Sequence, residues 1–155
     1  MVIATVFLSI IGMSAGLVLG SHHDAPTETG SQTTYVPTEP AAEPIKCPTE
    51  MHDTARRLGY DGTMTQVLKV RADSTGMTVW ICEDDGGKLF YQANKGGLAA
   101  RWIEGETALF LPDVVKGDDD YVATADDGNT FSVNEQRLVI TYKSGQTETL
   151  DVVPE

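Results

Sequence analysis

Residues 77–93, MTVWICEDDGGKLFYQA, decide how this chain folds. Two apolar segments, 77–83 and 88–93, flank the turn sequence DDGG at 84–87. An Asp-Gly pair between such segments is a strong signal for a β-hairpin. The stretch therefore predicts two antiparallel strands joined by a short turn.

Short apolar segments separated by turn residues continue on both sides of this hairpin. They are residues 63–72, 107–111, 121–125, 130–133, 137–143 and 147–153. About eight short strands at this spacing predict a mainly β fold, either an antiparallel β-sandwich or a small barrel. No helix-length segment separates the strands, so a parallel βαβ architecture is not expected. In the first segment, Met64, Leu68 and Val70 are predicted to lie on one face.

One short helix is predicted just before the strands. Residues 48–58 (PTEMHDTARRL) have proline at the start, acids early and basic residues late, and Gly59 follows. These are typical start and stop signals of a helix. Met51, Ala55 and Leu58 would form its apolar edge.

The chain has two cysteines, Cys47 at the start of this domain and Cys82 in a predicted strand. In an exported protein an even number of cysteines is compatible with a disulfide. Closing this loop would stabilise the fold by roughly 3–4 kcal/mol in the chain-entropy model. Two free thiols or lipid modification of Cys47 are the alternatives. Lipid modification is disfavoured, because such a cysteine directly follows the hydrophobic segment.

Residues 1–20 (MVIATVFLSIIGMSAGLVLG) form an apolar segment without a charged side chain. As a helix, twenty residues span about 30 Å, the thickness of the hydrocarbon core of a bilayer. A signal peptide normally has a basic start and a small-x-small cleavage motif, and neither is found here. We therefore expect an uncleaved transmembrane signal anchor, with a cleaved signal peptide as the alternative. The remainder would lie outside the cytoplasm, which predicts a single-pass protein of the cell membrane.

Gly12, Gly16 and Gly20 recur every four residues within this segment and would share one helical face. Two overlapping G-x-x-x-G units allow close approach of a second membrane helix. These glycines are the predicted contact with an integral membrane partner. The competing interpretation is that glycine is simply common in membrane helices and signal sequences.

Residues 21–46 contain four of the seven prolines and many Thr, Ser and Glu residues, which is typical of a flexible linker. The predicted organisation is an anchor at 1–20, this linker, and an extracytoplasmic β-domain at 47–155. All formal charges follow residue 23 and sum to −12. An acidic surface of this kind repels phosphate backbones, so a nucleic-acid partner is not expected.

The apolar and turn residues of the β-domain also resemble a known family. The run Val79-Trp80-Ile81-Cys82, the run at 87–91 (GKLFY) and the segments at 121–124, 130–133 and 138–140 are similar to membrane-anchored, exported actinobacterial proteins with a small C-terminal β-domain. The resemblance covers about residues 77–143. It implies export, one N-terminal anchor and a small β-fold, and it transfers no catalytic residue because the family's function is undefined.

The sequence contains no recognisable catalytic constellation. The domain has one histidine, His52, and no phosphate-binding, dinucleotide-binding or nucleophile-elbow motif occurs. We therefore do not expect an enzyme, a cofactor or a metal. The acidic clusters at 83–85, 118–120 and 126–129 are the only candidates for a calcium site, and they do not match the EF-hand spacing. Hairpin turns are the better explanation for them.

Residues 96–105 (GGLAARWIEG) form the longest stretch without a strand pattern. Arg101 and Trp102 are adjacent within it, and Trp and Arg are favoured anchors of protein interfaces. They are the candidate interface of the domain. The sequence thus predicts a membrane-anchored interaction module, an accessory subunit of a larger membrane or cell-envelope complex such as a respiratory complex. A ligand- or cation-sensing ectodomain and an envelope hydrolase are the alternatives.

Overall fold

A computed structural model describes residues 43–155 of the chain. In this range one α-helix precedes ten strands. The helix α1 is Thr49–Arg57, and the strands are β1 (Thr65–Ala72), β2 (Met77–Glu83), β3 (Leu89–Lys95), β4 (Ala108–Leu111), β5 (Val115–Lys116), β6 (Tyr121–Thr124), β7 (Thr130–Val133), β8 (Arg137–Thr141), β9 (Thr147–Asp151) and β10 (Val153–Pro154).

The strands form two antiparallel sheets of five strands each. The first sheet has the order β10-β1-β2-β3-β4, and the second has the order β5-β6-β7-β8-β9. Neither order returns to its first strand, so the described residues form two open sheets and no closed barrel. The predicted mainly β, antiparallel fold is confirmed, and of the two predicted architectures the structure has the two-sheet one.

One hydrophobic core contains side chains of both sheets. The first sheet contributes Val70, Val79, Ile81, Tyr91 and Leu111, and the second contributes Ala123, Val133, Leu138 and Ile140. Fully burying a side chain of this size stabilises the fold by about 1.5–3 kcal/mol. This shared core is what holds the two sheets together.

The opposite face of the first sheet is also covered. Here α1 contributes Met51 and Ala55 to a second buried cluster, in which they meet Trp80, Phe90 and Phe110. Successive side chains of a strand point to opposite faces, so β2 and β3 place alternate residues in the two clusters. Five consecutive residues of each strand are therefore buried. This explains why residues 77–83 are mostly apolar and do not alternate between apolar and polar residues.

A disulfide joins Cys47 to Cys82, as the sequence allowed. Both residues are buried in the second cluster. Backbone pairing begins slightly earlier, because Lys46 bridges to Thr65 and the Ile45 carbonyl accepts a hydrogen bond from the Gln66 amide. The end of the predicted linker is thus fastened to the first sheet both covalently and by backbone hydrogen bonds.

The turn at 84–87 closes the hairpin in the predicted way. One carboxylate oxygen of Asp84 accepts hydrogen bonds from the Gly86 and Lys88 amides, at 2.9 and 2.8 Å. Gly87 has a φ of +81°, a conformation that glycine adopts without strain. The turn at 126–129 is built similarly, with Asp127 accepting from the Asn129 amide at 3.0 Å. Turn chemistry therefore accounts for two of the acidic clusters.

Two details of the first sheet and the helix differ from the predictions. Met64 belongs to the second cluster rather than to the face of Leu68 and Val70. The pairing of β1 with β2 shifts between Gln66 and Leu68, and this β-bulge reverses the facing of the residues before it. Leu58 is 58 % exposed, because α1 ends at Arg57 and the chain turns away.

The last predicted strand, residues 147–153, is in fact two strands in different sheets. Its first part is β9 of the second sheet, and its end continues as β10, which pairs with β1 of the first sheet. Between them the Val152 amide donates to the Gln136 carbonyl, and Val152 is buried. This crossing and the two-residue strand β5 raise the number of strands from the expected eight to ten.

Within residues 43–155 no helix has the length and apolar character of a membrane span. The predicted anchor at 1–20, its glycines Gly12, Gly16 and Gly20, and the linker up to residue 42 lie outside the described residues.

Candidate functional site

The segment between β3 and β4 lies over the outer face of the first sheet. It starts with a 3-10 turn, Gly97–Ala99, in which the Gly97 carbonyl accepts a hydrogen bond from Asn94 Nδ2 at 2.8 Å. A Cβ atom at Gly97 would lie 3.0 Å from Thr78 Oγ1, and φ is +68°. The segment thus approaches the sheet at a distance that only glycine allows. We call the sheet surface beneath and beside residues 96–107 the loop face.

Trp102 turns from this segment onto the sheet. Its ring lies 5.3 Å from the ring of Trp80, centroid to centroid, with a tilt of 37°. Trp80 is 1 % exposed, and Trp102 is half-buried. Both tryptophans therefore pack against the fold. The two residues of the predicted interface therefore differ in their surroundings. Arg101 is exposed to solvent, whereas Trp102 covers the sheet.

Buried polar side chains lie under the same segment, and the sequence analysis did not single them out. Gln92 and Asn94 of β3 are fully buried. Gln92 Nε2 donates to Glu104 Oε1 at 3.2 Å, and the Phe110 amide donates to Glu104 Oε2 at 2.8 Å. Glu104 thereby joins the segment to β3 and β4. The only signal in the sequence is that Gln92 and Asn94 are polar residues at alternate positions of a strand that is otherwise mostly apolar.

Three polar atoms of the loop face have no hydrogen-bond partner within residues 43–155. They are Gln92 Oε1, Asn94 Oδ1 and Trp102 Nε1. A buried polar group without a partner costs about 1–3 kcal/mol. Buried polar groups in folded proteins are normally paired with protein or ordered water, so these atoms are the places where water or a partner would bind the loop face.

A groove of about 390 Å³ opens beside the 3-10 turn, between it and β1. Lys69 and Arg71 line one side, and Leu98, which is 55 % exposed, lines the other. Lys69 Nζ lies 3.1 Å from Glu155 Oε2, and Arg71 lies 3.9 Å from Glu155 Oε1. Glu155 itself lines the groove and Arg71 also lies 3.0 Å from Asp73, so both cations are already paired with carboxylates of the domain.

A second groove, of about 480 Å³, is acidic. Asp118, Asp119 and Asp120 line it together with Glu135 and Arg137. Asp120 accepts a hydrogen bond from the Ser132 hydroxyl. In the described part of the chain, no three His, Cys, Asp or Glu side chains are grouped closely enough to hold a metal ion. The third acidic cluster of the sequence, 118–120, lies in the hairpin turn that joins β5 to β6, where the Gly117 amide donates to the Asp120 carbonyl at 2.8 Å, and it also lines this groove.

The residues that could serve in nucleophilic catalysis are accounted for by the fold. His52 lies on the partly exposed side of α1, and both cysteines are joined in the disulfide. No family model matches the sequence, and no curated protein or solved structure matches it significantly. The resemblance to exported actinobacterial proteins stays a prediction from the sequence.

Proposed function

We propose that this protein is a membrane-anchored, extracytoplasmic interaction module that acts as an accessory subunit of a larger membrane or cell-envelope complex, such as a respiratory complex. Residues 1–20 would dock against a membrane partner, and the loop face of the β-domain would contact that partner outside the membrane. No enzymatic role is part of the proposal, since the sequence contains no recognisable catalytic motif.

The disulfide between Cys47 and Cys82 carries this proposal. Disulfides persist in oxidising compartments and are rare in the cytosol, which supports a location outside the cytoplasm. Cys47 follows the proposed tether directly, and Cys82 lies in β2, the central strand of the first sheet. The disulfide would thus fasten the proposed tether covalently to the central strand of the first sheet.

The loop face supports an interaction role on chemical grounds. It combines the exposed Arg101 with the exposed Leu98. Interfaces are enriched in arginine and in aromatic residues, and charged pairs fix the register of a partner. An acidic surface segment of a larger subunit is the partner that this chemistry fits.

The membrane contact is tested by co-purification in mild detergent. Gly16→Leu would place a bulky side chain on the glycine face, whereas Ser14→Leu would place the same side chain on the opposite face of the helix. We expect Gly16→Leu to lose the co-purifying complex and Ser14→Leu to retain it. Equal retention by both variants, or a protein that purifies alone in every case, would refute the membrane contact.

The contact of the domain is tested with Arg101→Ala, and Arg56→Ala on α1 is its matched control. Both side chains are exposed, so neither change should alter folding. We expect Arg101→Ala alone to weaken co-purification at low salt, with a difference from the wild type that shrinks as salt is raised, because salt screens the ion pair that the wild type makes. A complex that tolerates both variants equally would place the contact elsewhere on the domain.

The alternative proposal is a cation-sensing ectodomain, in which the acidic groove at 118–120 would attract the cation by its charge, although the described residues provide no group of three metal-ligating side chains. Its test is the melting temperature with and without millimolar calcium, with Asp119→Asn as the comparison. A calcium-dependent rise that this variant reduces would support sensing, and no rise at all would remove calcium as the ligand.

A further inference from the structure

The two sheets have four edge strands, β10, β4, β5 and β9, and three of them offer little to an additional strand. β10 and β5 are two residues long, and β10 contains Pro154. β4 is covered, because the preceding segment forms a backbone bridge to Ala108 and the Phe110 amide donates to Glu104 Oε2. Short strands, prolines and covering segments are the usual means by which proteins protect sheet edges. β9 has five residues without a proline, and no segment within residues 43–155 pairs with its outer side.

The hydrogen-bond register of β9 leaves alternate backbone groups free. The Val152 amide donates to the Gln136 carbonyl, and bonded pairs of an antiparallel ladder recur at every second residue, so the even-numbered residues of β9 are bonded to β8. The odd-numbered residues, Thr147, Thr149 and Asp151, point their N–H and C=O groups away from β8. These groups have no hydrogen-bond partner among residues 43–155, and all three residues are exposed. β9 thus has the unpaired backbone to which an extended segment can add as a further strand.

The charged side chains of β9 are two carboxylates, Glu148 and Asp151, on opposite faces of the strand. Within residues 43–155 neither carboxylate makes an ion pair, and Glu148 accepts a hydrogen bond from the Tyr142 hydroxyl at 2.8 Å. Arg137 lies opposite Asp151 on β8, but the two side chains are not within ion-pairing distance. Opposite charges directly across a strand pair stabilise it, and like charges destabilise it. The edge therefore favours an incoming strand that carries cations.

We propose that β9 binds an extended segment of a partner protein that bears lysine or arginine, and that this segment adds to the second sheet as a sixth strand. Its basic side chains would lie opposite Glu148 and Asp151, and an apolar side chain would lie opposite the partly exposed Leu150. A second copy of this chain is the less suitable occupant, because each chain carries a net charge of −12 and two copies repel each other. The contact is separate from the loop face and does not depend on residues 1–20.

The test uses the full-length chain, labelled with ¹⁵N, in nanodiscs of zwitterionic phosphatidylcholine. The probe is the blocked peptide Lys-Val-Thr-Lys-Thr, whose lysines lie opposite Asp151 and Glu148 when it runs antiparallel to β9. One control peptide, Glu-Val-Thr-Glu-Thr, reverses the charge, and the other, Lys-Val-Pro-Lys-Thr, lacks the N–H opposite Thr149. We expect the lysine peptide at millimolar concentration to shift the amide resonances of the odd-numbered β9 residues saturably. Both control peptides should bind about tenfold more weakly or not at all.

Thr149→Pro tests the edge from the side of the protein, with Thr149→Val as its matched control. Proline removes an N–H that points away from β8, a position at which edge strands tolerate it, whereas valine keeps this N–H. We expect Thr149→Pro to lose the lysine peptide and Thr149→Val to retain it. If proline unfolds the domain, the double variant Glu148→Lys and Asp151→Lys replaces it and should prefer the glutamate peptide. The proposal is overturned if the β9 amides show no saturable shift, if either control peptide binds as tightly as the lysine peptide, if a folded Thr149→Pro still binds, if the double variant keeps its preference for lysine, or if the chain alone is a dimer that Thr149→Pro dissociates.

Discussion

Removing the disulfide should destabilise the β-domain strongly. The change is Cys47→Ala together with Cys82→Ala, which opens a loop with a sequence separation of 35 residues. In the chain-entropy model a cross-link over such a loop stabilises the fold by about 4 kcal/mol at 25 °C. Both sulfur atoms are also buried beside Met51 and Phe90, so alanine loses packing contacts as well.

The expected effect is large enough to measure by thermal unfolding. For a domain of about one hundred residues, 1 kcal/mol corresponds to a change in melting temperature of roughly 4 °C. The double variant should therefore melt about 15 °C below the wild type when followed by circular dichroism. Alanine is the better replacement than serine here, because serine would add a buried hydroxyl at each position.

A reducing agent supplies the matched control. It should lower the melting temperature of the wild type most of the way to that of the double variant, since the reduced cysteines keep their packing contacts, and it should leave the variant unchanged. If the wild type is insensitive to reduction, or if the variant melts within about 3 °C of it, the cross-link does not support the fold as we describe. The location that we infer from it would then lose its main argument.

Three further predictions concern single side chains. Tyr91→Phe removes a buried hydroxyl without a described partner and should raise the free energy of unfolding by about 1 kcal/mol. Because burial raises the pKa of Tyr91 above 10.0, an unfolded chain loses this proton first, and the wild type should lose stability as the pH rises above 10.0. The part of the slope that Tyr91 contributes is up to about 1.4 kcal/mol per pH unit, so the stability of Tyr91→Phe should fall less steeply than that of the wild type in alkaline urea titrations. Glu104→Ala leaves Gln92 and the Phe110 amide without their acceptor and should cost about 1–3 kcal/mol in urea unfolding, whereas Glu104→Gln should cost less. Met51→Ala should cost about 2–5 kcal/mol, and Leu58→Ala, at an exposed position, less than about 0.5 kcal/mol; equal effects would contradict the packing of α1.

The sequence predicted those features of the fold that depend on neighbouring residues. Residues 84–87 indicated a hairpin because an aspartate and glycines satisfy the local backbone, and the structure confirms the turn. The same holds for the helix start at Pro48 and for the antiparallel order of consecutive strands. Each of these signals acts over a few residues, so it could be interpreted without knowledge of the tertiary structure.

Features that depend on distant residues were not predictable in the same way. The bulge near Gln66 moves Met64 to the other face of the first sheet, and no local sequence pattern indicates this bulge. Val152 directs the chain from one sheet to the other, which depends on pairing with β1 more than eighty residues earlier in the chain. Strands of two residues carry too little pattern to be recognised.

The candidate site shows the same division. Arg101 and Trp102 stood out because they lie in an unpatterned stretch, but the sequence could not show that Trp102 would pack on Trp80. Gln92 looked like an ordinary strand residue, and its role in holding the segment at 96–107 depends on Glu104, twelve residues away. Long-range contacts of this kind explain why Trp102 of the predicted interface pair is half-buried whereas Arg101 is exposed.

The central claim is that the protein works as a subunit of a membrane complex, and one comparison tests it most directly. The tagged full-length chain would be purified from membranes in mild detergent, beside a version in which a cleavable signal peptide replaces residues 1–20. We predict that a stoichiometric complex is recovered with the native N-terminal segment and is lost or much reduced with the replacement. If both versions are recovered alone, residues 1–20 do not mediate assembly and the claim is contradicted.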